Sequence, residues 1–507
     1  MRAHSISSAR IVLLLCAAIL GSTATAQQSA GVSSDKPDIP VQRGLITDCN
    51  GVVLADNIKK EGDPSPHRNY TFPRQLCHVL GRVDHTNKAK DGVEAYYHSH
   101  LAGLDGTPPK AGLNLQLTID MNLQKIAEEE LDAGLRRYRA ERGCMIVMNP
   151  KNGDILAMVN RPSYDLNTGE IITPNGTFAQ GSVKDSQGKD ITGEFNMSCH
   201  TLYEPDAAFS VVSLASALDQ KLLNINSFVD CSPFSVGYGS NPITDRPFNY
   251  SSLPVWGVLA KSSRPGTARI ALRSNWFRYK EYMEKFGLFS TPGIDLPGGS
   301  RCLAANGDNV INFSRIAYGC SVAVSPLHMA VVYATIANDG VRMRPRLVNR
   351  MTAADGSVFS ECKPEEGLRV ISAETAADLR FALEAVTRTA KGNGTPVRRG
   401  TGTKAAIPGF RIGGKTGTSR KVTEKGYSID RYTVSFAGIL PIDDPKLVIM
   451  TVIDEPRPTD CNPGGGTVAA PIFRAAAERM IQALNLTPSD PETYEKYLAE
   501  KAQGTAD

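Results

Sequence analysis

Three short stretches of the chain carry the hydroxyl and amine groups that acyl transfer requires. They are residues 203–213, with Ser210 and Ser213, residues 261–264, K-S-S-R, and residues 413–418, G-G-K-T-G-T. A serine attacks a carbonyl only when a neighbouring base accepts its proton. The spacing S-x-x-K supplies such a base, but none of the three stretches contains it, and its occurrences at residues 33–36 and 360–363 fall in a predicted leader and a predicted loop. The three stretches are therefore the candidate site, without an obvious serine–lysine pair.

The first stretch has a known counterpart. Residues 203–210, Y-E-P-D-A-A-F-S, resemble the Y-E-P-G-S-x-F-K opening of the central helix in penicillin-binding proteins. In that family the serine is the nucleophile, and the lysine lies one turn further on the same helix face. Here Asp206, Ala207 and Ser210 stand at the glycine, serine and lysine positions. Ala207 has no hydroxyl and Ser210 has no amine, so the resemblance implies the fold without its usual nucleophile and base.

The second stretch resembles the family's S-x-N motif. Ser262 aligns with the serine, and Arg264 stands where the family has asparagine. A guanidinium cannot accept a hydrogen bond, and it adds charge and bulk. The resemblance also implies that Ser262 lies near Lys261 and Lys415, since the family places this serine between two lysines. Ser262 is therefore the best of four candidates for a relocated nucleophile, the others being Ser210, Ser213 and Ser263.

The third stretch matches the K-T-G motif, which the family carries on an edge strand. The resemblance implies that Lys415 attracts the terminal carboxylate of a D-Ala-D-Ala stem peptide, and that Thr416 and Thr418 bond to it. Gly417 would let the substrate backbone lie against the strand. The backbone N–H groups of Thr418 and Ala207 would form the oxyanion hole. The alternative is that Lys-Thr-Gly is present because it packs the strand.

The elements that must position these groups are predicted from hydrophobic patterning. Residues 203–218 are apolar or small on nearly every face, which indicates a helix buried on all sides, with Asp206 as its cap. Strands are expected on both sides of a helical middle section. We therefore predict an α+β fold: an antiparallel sheet with helices on both faces, and the buried helix beneath the cleft. This corresponds to the penicillin-binding, serine β-lactamase-like transpeptidase sandwich.

The remaining resemblances divide the chain. Residues 43–55 resemble the opening of the non-catalytic pedestal of class B penicillin-binding proteins, and residues 92–106 resemble its G-x-E and L-x-G-x-x-G segments. We expect a pedestal at 37–112, a transpeptidase-like domain at 113–485 and a polar tail at 486–507. His98 and His100 are expected in a polar surface loop, and no metal or cofactor is predicted.

The N-terminus and composition predict export. Arg2 and Arg10 precede and flank an apolar stretch that ends before Ala24-Thr25-Ala26, a small-x-small cleavage pattern. We expect a signal peptide at 1–26, with an uncleaved anchor as the alternative, and hence a periplasmic or cell-envelope location. The net charge of +4 is too small to indicate a nucleic-acid partner, and none is predicted. The ten scattered cysteines allow either disulfides or small buried side chains.

Three functions remain open. The first is a non-acylating pseudoenzyme that binds peptidoglycan stem peptide or cell-wall synthesis proteins. The second is an active D,D-transpeptidase in which Ser262 has become the nucleophile. The third is a secreted binding module for an unrelated peptide or protein, with a vestigial cleft.

Overall fold

The computed structural model describes residues 42–59, 61, 66–84, 86–104, 111–178, 183–184, 190–191, 193–237, 241–245, 247–365, 367–388, 399–424 and 426–503. The predicted signal peptide, the leader after it and most of the predicted loop at 391–403 lie outside this part of the chain. Within the described ranges, no helix is both long and apolar enough to cross a bilayer.

A five-stranded antiparallel sheet forms the centre of the larger domain. Alternate side chains of its strands point into two separate apolar clusters, which shows that both faces are covered. Met145 and Val147 enter one cluster, whereas Ile146 and Met148 enter the other. The predicted sandwich is therefore confirmed. The strands, in spatial order, are Gly413–Thr423, Gly426–Leu440, Leu447–Asp454, Arg142–Met148 and Ile155–Arg161.

Helices cover the two faces unequally. One face carries the helices Met121–Arg137 and Ala470–Ala483. The other carries Ser210–Asp219, Val255–Lys261, Arg264–Ala271, Trp276–Lys285, Val310–Ala317, Pro326–Ala337 and Ala373–Thr387. Shorter turns are Cys77–Leu80, Gly92–Tyr96, His98–Leu101, Met197–His200, Asp206–Phe209, Thr403–Ala405 and Gly465–Ala469. The strand that bears Lys415 lies at the end of the sheet order, as predicted for an edge strand.

A second sheet of six strands contains the predicted pedestal segment. Its strands, in spatial order, are Val358–Glu361, Val348–Thr352, Asn114–Leu117, Ile46–Thr47, Val53–Ile58 and His67–Tyr70. Two of them come from residues 348–361, far along the chain from the others. Sequence order alone cannot indicate this return, because the pairing of Val348–Thr352 with Asn114–Leu117 is non-local. The domain boundary at 112/113 stays a prediction.

Short strands complete the molecule. A three-stranded sheet contains Ser163–Tyr164, Ile171–Thr173 and Gly176–Phe178. Four two-stranded ribbons pair Val183–Lys184 with Asp190–Ile191, Phe228–Asp230 with Ser252–Pro254, Leu303–Ala304 with Val322–Ala323, and Val341–Arg342 with Leu368–Arg369.

The expected polar tail contains a helix, Pro491–Ala502. Asp490 caps it by accepting the N–H of Thr493 at 3.1 Å. Tyr497 is buried, and its hydroxyl donates to Glu478 at 2.6 Å. A single buried tyrosine in an otherwise polar segment is too weak a periodic signal to predict a helix from the sequence.

The structure also tests the predictions for the cysteines and for two of the histidines. All nine cysteines within the described residues are free thiols, and five of them are buried. The interpretation of small buried side chains is confirmed for those five. His98 and His100 do not form a surface loop: they lie in the half-buried helix His98–Leu101, where the His98 Nδ1 atom is 3.2 Å from the Arg43 guanidinium.

Candidate active site

The central helix is buried as predicted, but its first residues do not have the predicted conformation. Residues 206–209 form a turn of 3-10 helix and residues 210–219 continue it as α-helix. Every side chain from 206 to 218 is buried. Asp206 does not cap the helix, and the capping prediction is wrong. Its backbone has φ +47°, and its carboxylate is directed to Arg264 and Thr418 instead. The bond between Asp206 and Arg264 joins two charged groups, whereas a cap would join the carboxylate to a neutral N–H.

The motif residues that match the family hold the cleft together. Glu204 accepts hydrogen bonds from the Ser321 N–H at 2.7 Å and the Tyr427 hydroxyl at 3.0 Å. Burial raises the pKa of Glu204 to about 7. Tyr203 pairs through its backbone with Val324. These residues therefore have structural roles that do not depend on acyl transfer.

Gly417 is required by its neighbours on the protein side of the strand. A Cβ atom at this position would lie 2.5 Å from the Pro205 carbonyl oxygen and 2.5 Å from the Ser435 hydroxyl. The Lys415 strand thus packs directly on the turn that starts the central helix. This close approach explains the glycine without a substrate, in agreement with the packing alternative.

An ion pair joins the first two motifs. The Arg264 guanidinium donates to Asp206 Oδ1 at 2.9 Å, and Asp206 raises the pKa of Arg264. The other carboxylate oxygen, Oδ2, accepts the backbone N–H of Thr418 at 3.3 Å. The Asp206 side chain is 8% exposed and that of Arg264 is 45% exposed. The two positions at which the family has glycine and asparagine are therefore filled by one interacting pair.

A serine–lysine contact joins the second and third motifs. The Lys415 amine donates to the Ser262 hydroxyl at 2.5 Å and to the Thr416 carbonyl at 3.2 Å. Lys415 is completely buried, and burial lowers its pKa to about 7, although the charge of Asp206 acts in the opposite direction. Ser262 is half-buried and has φ +56° at the C-terminus of the helix Val255–Lys261. The predicted proximity of Ser262 and Lys415 is thus observed.

The two threonines already have partners. The Thr416 hydroxyl lies 3.1 Å from that of Thr401, and the Thr418 hydroxyl accepts the N–H of Gly465 at 3.0 Å. The buried Lys415 amine bonds to Ser262, which is partly exposed. The structure therefore brings the predicted carboxylate-binding residues together, with most of their polar atoms in use within the protein.

The other candidate serines have structural roles or are inaccessible. Ser213 is buried between the Tyr279 hydroxyl at 2.9 Å and the Ala317 carbonyl at 2.7 Å. Ser263 is fully buried and caps the helix Arg264–Ala271. Ser210 is 2% exposed. Of the four predicted candidates, only Ser262 combines partial exposure with an adjacent amine.

One residue that sequence reasoning missed is Asp245. Its carboxylate accepts the Ser263 hydroxyl at 2.6 Å and the Arg264 N–H at 2.8 Å, which fixes the start of the helix that carries Arg264. No motif marks it. By contrast, the Asp206–Arg264 pair had a signal in the sequence, since the two departures from the family pattern introduce opposite charges.

Comparisons with known proteins agree with this geometry. Residues 143–478 match the family model of the penicillin binding protein transpeptidase domain. The chain is 31% identical to penicillin-binding protein PbpB of Mycolicibacterium smegmatis, over 91% of this chain and 69% of the relative. It is 30% identical to stage V sporulation protein D of Bacillus subtilis, over 85% of this chain and 66% of the relative. The chain thus spans about two thirds of the length of these two curated relatives.

The solved structures give the same result. The chain superimposes on penicillin-binding protein 3 of Mycobacterium tuberculosis, complexed with aztreonam, with a TM-score of 0.75 and 28% identity. The match covers 89% of this chain and 98% of that one. Together with the sheet order and the three motifs in the cleft, these similarities show that the chain belongs to the class B penicillin-binding proteins.

Proposed function

We propose that this chain acts in peptidoglycan synthesis in the cell envelope as a class B homologue that forms no acyl-enzyme. One observation carries the proposal: the Asp206 carboxylate bonds to the Thr418 N–H, beside an Ala207 that has no hydroxyl. An acyl transferase needs both a nucleophile and a free oxyanion hole. In a serine protease, loss of the nucleophile costs roughly 10⁶ in rate.

The ligand of such a protein is the peptidoglycan stem peptide or a wall-synthesis protein. At the rim of the cleft the charge of Arg264 is paired with Asp206, whereas the partly exposed Lys261 amine donates to the Arg399 carbonyl. A stem peptide carries carboxylates, which such an amine attracts. Export through the predicted N-terminal signal would place the protein with this ligand.

Covalent labelling tests the absence of acylation. The chain is incubated with a fluorescent penicillin and run on a denaturing gel, beside an active class B enzyme as positive control. We expect no labelled band from the folded protein. A band that unlabelled penicillin competes away would refute the proposal.

A second candidate function rests on the contact between Ser262 and Lys415. A neutral Lys415 amine accepts the Ser262 hydroxyl proton as the oxygen attacks a carbonyl, which gives a serine–lysine acyl transferase. The pKa of about 7 leaves a large neutral fraction at neutral pH. This candidate predicts a labelled band that disappears in Ser262→Ala and persists in Ser263→Ala.

A binding assay separates the stem-peptide ligand from the unrelated-peptide alternative. A peptide that ends in D-Ala-D-Ala is titrated against the chain, with the L-Ala-L-Ala peptide as its matched control. Saturable binding of the first peptide alone supports the proposal. Equal binding of the two peptides, or binding of neither, would indicate that the K-T-G segment packs the strand and does not bind a stem peptide.

A further inference from the structure

The Asp206 carboxylate accepts a hydrogen bond from one particular group of the cleft, the backbone N–H of Thr418. In the family pattern this N–H binds the carbonyl oxygen that is attacked. We infer that Asp206, held by Arg264, is an internal ligand of this N–H and determines specificity by excluding acylating ligands. The excluded class comprises the β-lactams, whose carbonyl oxygen needs the same donor. This inference rests on the proposed function and adds a second barrier to acylation besides the missing serine.

The backbone at Asp206 is in a conformation that suits glycine better. Its φ is +47°, in the left-handed region that glycine adopts without a Cβ clash. The backbone has little room to relax, because Asp206 N–H donates to the Gly319 carbonyl at 3.0 Å. A Cβ atom on Gly319 would lie 2.0 Å from the Asp206 carbonyl oxygen. Asp206 is thus held in an unfavourable conformation by its surroundings, and its side chain gains the bonds to Arg264 and Thr418.

Arg264 is positioned independently of Asp206. Its backbone N–H donates to Asp245, and its guanidinium carbon lies 5.9 Å from the centre of the Tyr318 ring. Because the helix start and the aromatic face orient the guanidinium, Arg264 presents a fixed donor to the Asp206 carboxylate. The carboxylate oxygen that Arg264 leaves free is the one that meets Thr418.

The matched control is a second aspartate–arginine pair on the same helix. Arg269 contacts Asp230 at 3.0 Å, and both residues are partly exposed. This pair does not bond to the strand that carries Thr418. Its removal reproduces the loss of an ion pair without opening the oxyanion hole.

The experiment measures acylation rates in chains whose nucleophile and base have been restored. The first variant carries Ala207→Ser and Ser210→Lys. The second adds Asp206→Gly and Arg264→Asn, and the third adds Asp230→Gly and Arg269→Asn to the first. Each full-length chain is reacted with fluorescent penicillin, and the acylated serine is identified by mass spectrometry. We expect the second variant to acylate about 100-fold faster than the first, since an oxyanion-hole donor is worth that much. The third should match the first.

Each outcome decides the inference. Equal rates in the first and second variants, or no acylation in a folded second variant, would overturn it. Labelling of the unmodified chain would instead refute the proposed function. In that case the inference predicts that the single variant Asp206→Gly is labelled faster than the unmodified chain. An unchanged labelling rate in this variant would overturn the inference.

A second measurement covers a restored variant that does not fold. Non-covalent contact of benzylpenicillin is followed by saturation-transfer NMR with the unmodified chain, Asp206→Gly and Asp230→Gly. We expect the saturation-transfer signal of benzylpenicillin to be at least tenfold larger with Asp206→Gly than with the other two proteins. Equal signals from all three proteins would overturn the inference.

Discussion

Two ion-paired carboxylates in this molecule differ in how exposed their arginine partners are and in what else they bond to. Beside the six-stranded sheet, Glu94 accepts from the Arg43 guanidinium at 2.6 Å and from the Arg68 guanidinium at 2.7 Å, and all three side chains are at most 4% exposed. In the cleft, Asp206 pairs with an Arg264 that is 45% exposed. Arg43 and Glu94 belong to segments that match the family pattern, whereas Asp206 and Arg264 both depart from it.

The difference shows what each pair contributes. Both oxygens of Glu94 are satisfied within the protein, so this cluster fixes the packing of three chain segments. The Asp206 carboxylate instead bonds to a backbone N–H that a ligand would otherwise use. One group stabilises the fold, and the other changes what the site can bind. The following predictions test this contrast, from the largest expected effect to the smallest.

Removal of Glu94 should cost the most stability. Glu94→Ala leaves the Arg43 and Arg68 guanidinium groups buried without a counter-charge, and we expect the free energy of unfolding to fall by about 3–5 kcal/mol. Thermal and denaturant unfolding measure the loss. The control is Glu374→Ala, which removes the exposed pair with Lys221 and should leave the midpoint unchanged. A small effect of Glu94→Ala would contradict the structural role of the cluster.

Gly417→Ala should destabilise the cleft. The added methyl group would lie 2.5 Å from the Pro205 carbonyl oxygen, and overpacking of this kind costs about 1–3 kcal/mol. Unchanged stability of Gly417→Ala in denaturant unfolding would show that the strand and the turn separate easily.

Lys415 should make stability depend on pH in one direction. Burial lowers its pKa to about 7 in the folded chain, below its ordinary value near 10.5. Between these values the unfolded chain binds more protons, so the free energy of unfolding rises with pH, by up to about 1.4 kcal/mol per pH unit from this group. Below pH 7 the full cost of burying the charge is present.

The variant Lys415→Met isolates this contribution. We expect the difference in stability between wild type and Lys415→Met to shift in favour of wild type as the pH rises above about 7. A difference that is flat across this range, measured by urea unfolding at constant ionic strength, would mean that Lys415 keeps an ordinary pKa.

Asp206→Asn should have the smallest effect on stability. It removes the charge from a pair whose arginine is half in solvent, and such pairs contribute about 0–1 kcal/mol. A loss as large as that of Glu94→Ala would erase the contrast between the two groups. Thermal unfolding at low and high salt measures it, and the effect should shrink as salt screens the pair.

The cleft could be predicted in part because motif spacing reports local structure. The sequence predicted a buried helix at residues 203–218 and an edge strand around the K-T-G motif, and the structure confirms both. The capping role of Asp206 was wrong, because its partners Arg264 and Thr418 come from distant segments. The helix Pro491–Ala502 was missed, because its burial depends on a single tyrosine that meets Glu478.

By itself the sequence determined the family, the sandwich fold and the absence of a nucleophile at Ala207, because these depend on residue types at fixed local spacing. Only the tertiary structure decided which of four serines meets an amine, and where the two unusual charges at 206 and 264 go. Ser262 and Lys415 are separated by 153 residues, and Asp206 and Thr418 by 212. Contacts at such separations are set by how the helices pack on the sheet, and no local pattern records that packing.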